Sequence, residues 1–217
     1  MPRSSLLARA TAAAALFILP IASASAAQAA PQRSSEQIAL SVYTAANPEA
    51  AFNSLSPAEQ KTFAARMKTW TSTETFSGQA VPSPPTPAEQ KAMTAASTRA
   101  TTSTAAVAAG GSGCWSQYKY YTWKDLNIST GNTWMTARWC SQLLNITTYS
   151  LTGQGGQGNV GVQYDGLGIR PTNRTNYEVR QGQVFKFHIG SAHAEPCMQI
   201  RGNAGGGYSF RADCNLS

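Results

Sequence analysis

The chain has 217 residues and carries seventeen Lys+Arg against ten Asp+Glu, a formal net charge of +7 with only 12% charged residues. That length allows one or two ordinary domains, and the low charge density excludes a highly charged disordered tail. A mean hydropathy of −0.27 with a single short, strongly apolar segment excludes a membrane bundle, and four cysteines with two histidines leave little material for a metal cluster.

Arg3 and Arg9 precede an apolar run over 12–19, which Pro20 breaks and small residues follow. Ala27-Gln28-Ala29 supplies an A-x-A cleavage site, with Ala22-Ser23-Ala24 and Ala24-Ser25-Ala26 as alternatives. These are the parts of a secretory signal peptide, predicted over 1–29. The run is well short of the roughly 20 residues that span a bilayer, which argues against a membrane anchor. There is no twin arginine, so general secretion is expected, and no cysteine follows the cleavage region to carry a lipid. Cleavage removes Arg3 and Arg9 and leaves fifteen basic against ten acidic residues, a net charge of +5.

Residues 30–70 are Ala-rich with helical periodicity. Ile38, Val42 and Tyr43 recur at i, i+4 and i+5 before Asn47-Pro48 interrupts. Ser56-Pro57-Ala58-Glu59 then gives an N-cap serine, a proline at the first helical position and a glutamate three residues on, which is a capping box. Phe63, Met67 and Trp70 follow on one face. Thr86-Pro87-Ala88-Glu89 repeats that start thirty residues later with Met93 as its one bulky apolar residue, so a weak helix is expected there. Two copies are too few for a solenoid. Residues 71–113 contain fifteen Ser/Thr and four prolines and end in Gly110-Gly111-Ser112-Gly113, the composition of a flexible linker. The short helical segment before it reads as a pro-region, a docking element or a marginal structure.

From Cys114 the character changes. Seventeen of the eighteen glycines lie at or beyond 110 and four of the five tryptophans beyond 113, so 114–217 reads as a separate domain. Short β-branched and aromatic runs alternate with turn signals at 118–123, 133–140, 143–150, 159–164, 177–180, 183–189, 197–201 and 207–212. Strands at this spacing predict an all-β fold, an antiparallel β-sandwich or small barrel of seven or eight short strands. Over 133–140, Met135, Ala137 and Trp139 form one face and Trp134, Thr136 and Arg138 the other. Over 183–189, Phe185, Phe187 and Ile189 oppose Val184, Lys186 and His188. In an exported chain Cys114, Cys140, Cys197 and Cys214 predict two disulfides. Of the three pairings, Cys114–Cys140 and Cys197–Cys214 are favoured, because each pair flanks a segment that reads as a hairpin.

Catalytic constellations are sparse. His193-Ala194-Glu195-Pro196-Cys197 contains the H-x-E and P-C pieces of a zinc deaminase signature, but they are fused and the second cysteine position is Ile200. His188 and His193 sit five apart and would share a metal with Glu195 or Asp213, yet two imidazoles on a loop are an incomplete site, and a solvent-facing strand histidine plus a loop histidine is the preferred reading. There is no G-x-S-x-G. Asp125, Asp165, Glu178, Glu195 and Asp213 offer carboxylates, and no spacing singles out a catalytic pair. No catalytic residue, metal or cofactor is predicted.

The aromatic cluster carries more. Trp115, Tyr118, Tyr120, Tyr121, Trp123, Trp134 and Trp139 fall within 25 residues. Flat rings on a β surface stack on sugar rings, while the competing reading is that large aromatics fill a small β core. Trp139 shares its face with Met135 and Ala137 and reads as core; Trp134, beside Thr136 and Arg138, is the best candidate for exposure. The expected ligand-binding set is Trp134, Arg138, Tyr118, Tyr120, Tyr121 and Trp123, with Lys119 and Lys124 as basic neighbours. Residues 110–217 hold nine Lys+Arg and five Asp+Glu, too thin a patch for nucleic acid and a milder fit to an anionic cell wall. Four N-x-S/T sequons, at Asn127, Asn145, Asn173 and Asn215, are treated as incidental because the Ala-rich leader and linker look bacterial.

Taken in order, an Ala-rich leader, a Ser/Thr/Pro/Ala spacer, Cys114-Trp115, an aromatic strand, Trp139-Cys140 and a Gly-rich hairpin closed by Cys197 and Cys214 resemble small secreted disulfide-linked β-rich proteins of actinobacteria. The resemblance covers about half the chain and its motifs are structural. It implies an extracellular β-sandwich and nothing about substrate. The expected function is a secreted, non-catalytic β-domain that binds cell-wall or environmental polysaccharide through exposed aromatics. The alternatives are a small secreted hydrolase with an N-terminal pro-region, and a secreted inhibitor or toxin presenting the loop 151–159 or 202–206.

Overall fold

Capping decides where the chain first becomes helical. In the computed structural model, which describes residues 32–72, 77–100 and 111–217, Ser34 caps α1 (Ser35–Tyr43) through a complete capping box with Gln37. Asn47 caps α2 (Pro48–Asn53), and the predicted box of Ser56 with Glu59 opens α3 (Pro57–Met67). The leader expected over 1–29 lies outside the described residues. The next elements are the short strands β1 (Ser77–Gln79) and β2 (Val81–Pro82) and the helix α4 (Pro87–Ala100).

Long strands follow: β3 (Gly113–Asp125), β4 (Ile128–Gln142) and β5 (Asn145–Gly158). Then come β6 (Gln163–Leu167), β7 (Thr172–Arg174), β8 (Glu178–Ile189), β9 (Ala192–Ala194), β10 (Cys197–Asn203) and β11 (Gly207–Arg211). All pairings are antiparallel and build two sheets. One is four-stranded in the order β2-β3-β4-β5; the other runs β1-β11-β10-β8-β6, with β7 and β9 also paired to β8.

The predicted fold class therefore stands: an antiparallel β-sandwich with two disulfides and short N-terminal helices. Cys114 and Cys140 face each other across β3 and β4, and Cys197 of β10 joins Cys214 just beyond β11, the pairing favoured from the hairpin pattern. Four details differ from the sequence reading. The runs 177–180 and 183–189 are one strand, β8, because Gln181, Gly182 and Gln183 continue its ladder to β10. Residues 151–158, expected as a presented loop, extend β5 and pair with β4. Residues 159–162 form a turn before β6. The described part of 71–113 is no free linker: β1 pairs with β11, β2 pairs with β3, and α4 packs on β4 and β5.

The two sheets meet through shape. Trp139 lies against Gly202 of the facing sheet and its Nε1 donates to the carbonyl of Asn203 at 2.8 Å. Tyr121 meets Phe210, and Thr133 meets Met198. The helices belong to the same core rather than to a separate body. Ile38, Val42, Phe52, Phe63 and Met67 bury into one contiguous cluster with Trp123, Phe185, Phe187 and Ile189, and residues 33–217 form one compact unit.

A buried polar lock fixes the helices in place. Asp125, 6% exposed at the end of β3, accepts from Arg66 Nε at 2.9 Å and pairs with Arg66 Nη2 at 2.6 Å. It also accepts from the Tyr43 hydroxyl at 3.2 Å, which itself accepts from Trp70 Nε1 at 3.3 Å. Burial pushes the Tyr43 hydroxyl pKa up, so the phenol stays a donor. No helix among the described residues is long and apolar enough to cross a membrane.

Candidate functional site

The outward face of the four-stranded sheet collects most of the expected binding residues. Alternation along β3 and β4 sends Tyr121, Trp123, Met135, Ala137 and Trp139 inward and Tyr118, Tyr120, Trp134, Thr136 and Arg138 outward. Cross-strand register then arranges the outward residues in rows: Tyr118 beside Thr136 and Thr152, Tyr120 beside Trp134 and Gly155, Thr122 beside Asn132 and Gln157.

The middle row pairs two aromatic rings. The Tyr120 and Trp134 rings lie within 4° of parallel, with centroids 6.2 Å apart. The indole rests across Gly155: a Cβ there would sit 2.6 Å from Trp134 Cε2 and Cζ2. Glycine opposite tryptophan is what lets the ring settle onto the sheet instead of standing off it. Tyr118, 53% exposed, and Tyr120, 43% exposed, extend the surface, and Thr122 donates to Asn132 Oδ1 at 3.1 Å at its lower edge. Trp134 itself is half-buried beside Tyr120, so the most open rings are the two tyrosines.

Two of the expected residues do not belong to this surface. Tyr121 is 0% and Trp123 1% exposed; both point into the core, where Trp123 Nε1 donates to Thr133 Oγ1 at 2.9 Å. Consecutive Tyr120 and Tyr121 necessarily take opposite faces of a strand, and a cluster in sequence hides that. Lys119 also turns inward at the open edge of β3, with its ammonium 5.6 Å from the Tyr121 ring centre and 5.4 Å from that of Phe210.

Arg138 is outward but already engaged. α4 crosses the upper part of this face, and Arg138 holds Glu89 in a two-point pair: Nε to Oε1 at 2.7 Å and Nη2 to Oε2 at 2.8 Å. Nη2 also donates to the Pro84 carbonyl at 2.7 Å. The guanidinium holds the Glu89 carboxyl down at about 2. Met93 of α4 covers the Cys114–Cys140 disulfide beside it. The arginine therefore fastens α4 to the sheet and is not a free cation for an acidic polymer. Sequence reasoning found the helix start but missed its seat; the signal was Glu89, which caps Thr86 and still has charge to share.

Other candidates disperse. Cys197 is in a disulfide, so the deaminase-like string offers no thiolate. Glu89 lies close to Cys114 and Cys140, but those two sulfurs are bonded to each other. Asp125 is locked by Arg66, and Glu178 pairs with Arg180. His188 and His193 sit opposite each other on β8 and β9, on the outward face of the other sheet. Comparison of the chain with protein-family models, with curated proteins and with solved structures returns no match.

Proposed function

We propose that this chain is an exported, non-catalytic β-sandwich that binds polysaccharide on the outward face of its four-stranded sheet, with Tyr118, Tyr120 and Trp134 as the contact surface. The observation that carries the reading is the near-parallel Tyr120–Trp134 pair, with the indole seated over Gly155 and the open Tyr118 ring beside it. A sugar ring presents a flat face of C–H groups, which packs on the electron-rich face of an aromatic ring. Thr122, Asn132, Thr136 and Gln157 supply neutral hydroxyl and amide partners at the margins, and neutral partners suit hydroxyl-rich chains.

The shared core supports a functional unit that includes the helices, which weighs against a removable pro-region: cutting near 110 would strip α1–α3 from Trp123 and Phe187. The inhibitor reading loses both of its loops. Residues 151–158 are strand, and Ala204 in the 202–206 turn is fully buried while Gly206 is pressed under Trp115.

The test is sedimentation of the full oxidised chain with cellulose, chitin and purified cell wall, with Trp134→Ala and Tyr120→Ala alongside. Retention by one polymer, weakened about tenfold or more by either change, is the expected result, the size usual for a central aromatic contact. Equal retention of all three proteins, or no retention on any of the polymers, overturns the reading.

A further inference from the structure

The outward face of the seven-stranded sheet carries both histidines of the chain. Antiparallel register sets His188 of β8 directly opposite His193 of β9, with ring centres 6.0 Å apart and planes tilted 44°. Two imidazoles bound to one ion at about 2.1 Å per nitrogen hold their ring centres roughly 5 to 6 Å apart. The observed 6.0 Å lies at the upper edge of that range.

His188 is prepared further. β6 bulges between Tyr164 and Gly166, where Gly166 takes φ +107, and the extra residue is Asp165. A bulge re-aims one side chain out of the ladder. Here it brings the Asp165 carboxylate to 2.6 Å from His188 Nδ1. A carboxylate on Nδ1 fixes the tautomer with Nδ1 as donor, turns the ring and leaves the Nε2 lone pair free, the usual outer-shell support of a metal-bound histidine. Among the described residues neither His188 Nε2 nor either His193 nitrogen has a protein hydrogen-bond partner.

The charged groups around the pair are balanced. Asp165 approaches from β6, Lys186 shares the outward face of β8, and Lys68 at the end of α3 lines a cavity with His193 and Glu195. No free cysteine among the described residues competes for a soft ion.

We propose that His188 and His193 form a cross-strand two-histidine site for a divalent transition-metal ion, with Asp165 as the carboxylate that orients His188. Two protein nitrogens leave the remaining coordination positions to water or an incoming ligand, and imidazole suits copper, nickel and zinc, with Cu²⁺ the tightest. The site is independent of the aromatic surface, which lies on the other sheet.

The experiment is titration of the tag-free full chain with Cu²⁺ alone, followed by calorimetry and by electron paramagnetic resonance. The expected result is one ion per chain with splitting from two imidazole nitrogens, and weaker binding of Zn²⁺. His188→Ala and His193→Ala each lower the affinity at least tenfold, and isosteric Asp165→Asn lowers it about tenfold or more. His193 is exposed, so His193→Ala remains a folded control even if His188→Ala does not. Absence of saturable binding, a one-nitrogen signal, or binding unchanged in His193→Ala overturns the proposal.

Discussion

Two glycines sit under two tryptophans, and substituting each by alanine separates the binding surface from the core. A Cβ at Gly155 would meet Trp134 Cε2 and Cζ2 at 2.6 Å; one at Gly202 would meet Trp139 Cδ2 at 2.5 Å. Both contacts are far inside van der Waals range, so a ring or a backbone has to move. Trp134 is half-buried on an open face and has room to lift. Trp139 is 0% exposed and tied by its Nε1 to the Asn203 carbonyl, so it has none. Overpacking a closed core costs about 1–3 kcal/mol, and each kcal/mol moves the melting temperature of a domain this size by about 2–4 °C. Gly202→Ala is therefore expected to melt roughly 2–12 °C lower. Gly155→Ala relieves its clash by tilting Trp134 and regains about 0.4–1 kcal/mol from the stiffer unfolded chain, so its melting point stays close to wild type while the near-parallel setting of Tyr120 and Trp134 is lost and polymer retention falls. Thermal melts under oxidising conditions and polymer sedimentation measure both. If Gly155→Ala melts as low as Gly202→Ala and still sediments like wild type, the flat-ring reasoning is wrong.

Phe63→Ala deletes a fully buried ring from α3 and is expected to lower the stability of one cooperative transition by about 3–5 kcal/mol. A separate helical melting step in denaturant, with the sandwich transition unmoved, would refute the shared core. The Glu89 carboxyl is held at about 2 by Arg138, against an ordinary 4.5. Its folded-state pKa is depressed, so its contribution is present above about 4.5 and fades as pH falls toward 2. Glu89→Gln should cost about 1 kcal/mol at pH 7 and little at pH 2, read from urea unfolding at the two pH values; Glu59, lowered in the same way by Arg33 and Ser56, keeps an acid limb in both proteins.

Much of the sandwich was legible because alternation and turn chemistry agree. The inward sets Met135–Ala137–Trp139 and Phe185–Phe187–Ile189 stand as predicted, and the capping box at Ser56 opens α3. What the sequence hid were places where long-range packing overrides local preference. The β4–β5 turn is Leu143-Leu144, both at positive φ, a conformation that glycine or asparagine adopts more readily. Leu144 and, in the β3–β4 turn, Leu126 pack against the core, and that contact offsets the backbone strain. The glycines of 153–158 read as a loop but form a strand because Trp134 and Tyr164 occupy the space a side chain would fill at Gly155 and Gly156. The helix start at Thr86 was legible, but the linker composition of 71–113 concealed where α4 seats, because its hold on the sheet is an ion pair and one methionine rather than an apolar stripe. At the surface itself, strand parity told Tyr120 from Tyr121 once the register was known, and the engagement of Arg138 needed the position of a helix some fifty residues earlier.

The pairing of β1 with β11 has a kinetic consequence. Ser77 lies opposite Ser209, so the seven-stranded sheet acquires its outer strand only when nearly the whole chain is present. The same holds for α1–α3, whose apolar faces find their partners in strands that follow them. Closing contacts so distant in sequence requires a large loop entropy to be lost before any packing compensates it, which slows folding. As the chain is made from its N-terminus, α1–α3 lack the strand residues against which Phe52 and Phe63 are buried. Their lasting place in the core waits for the strands behind them, so the order of synthesis and the order of packing run in opposite senses along this chain.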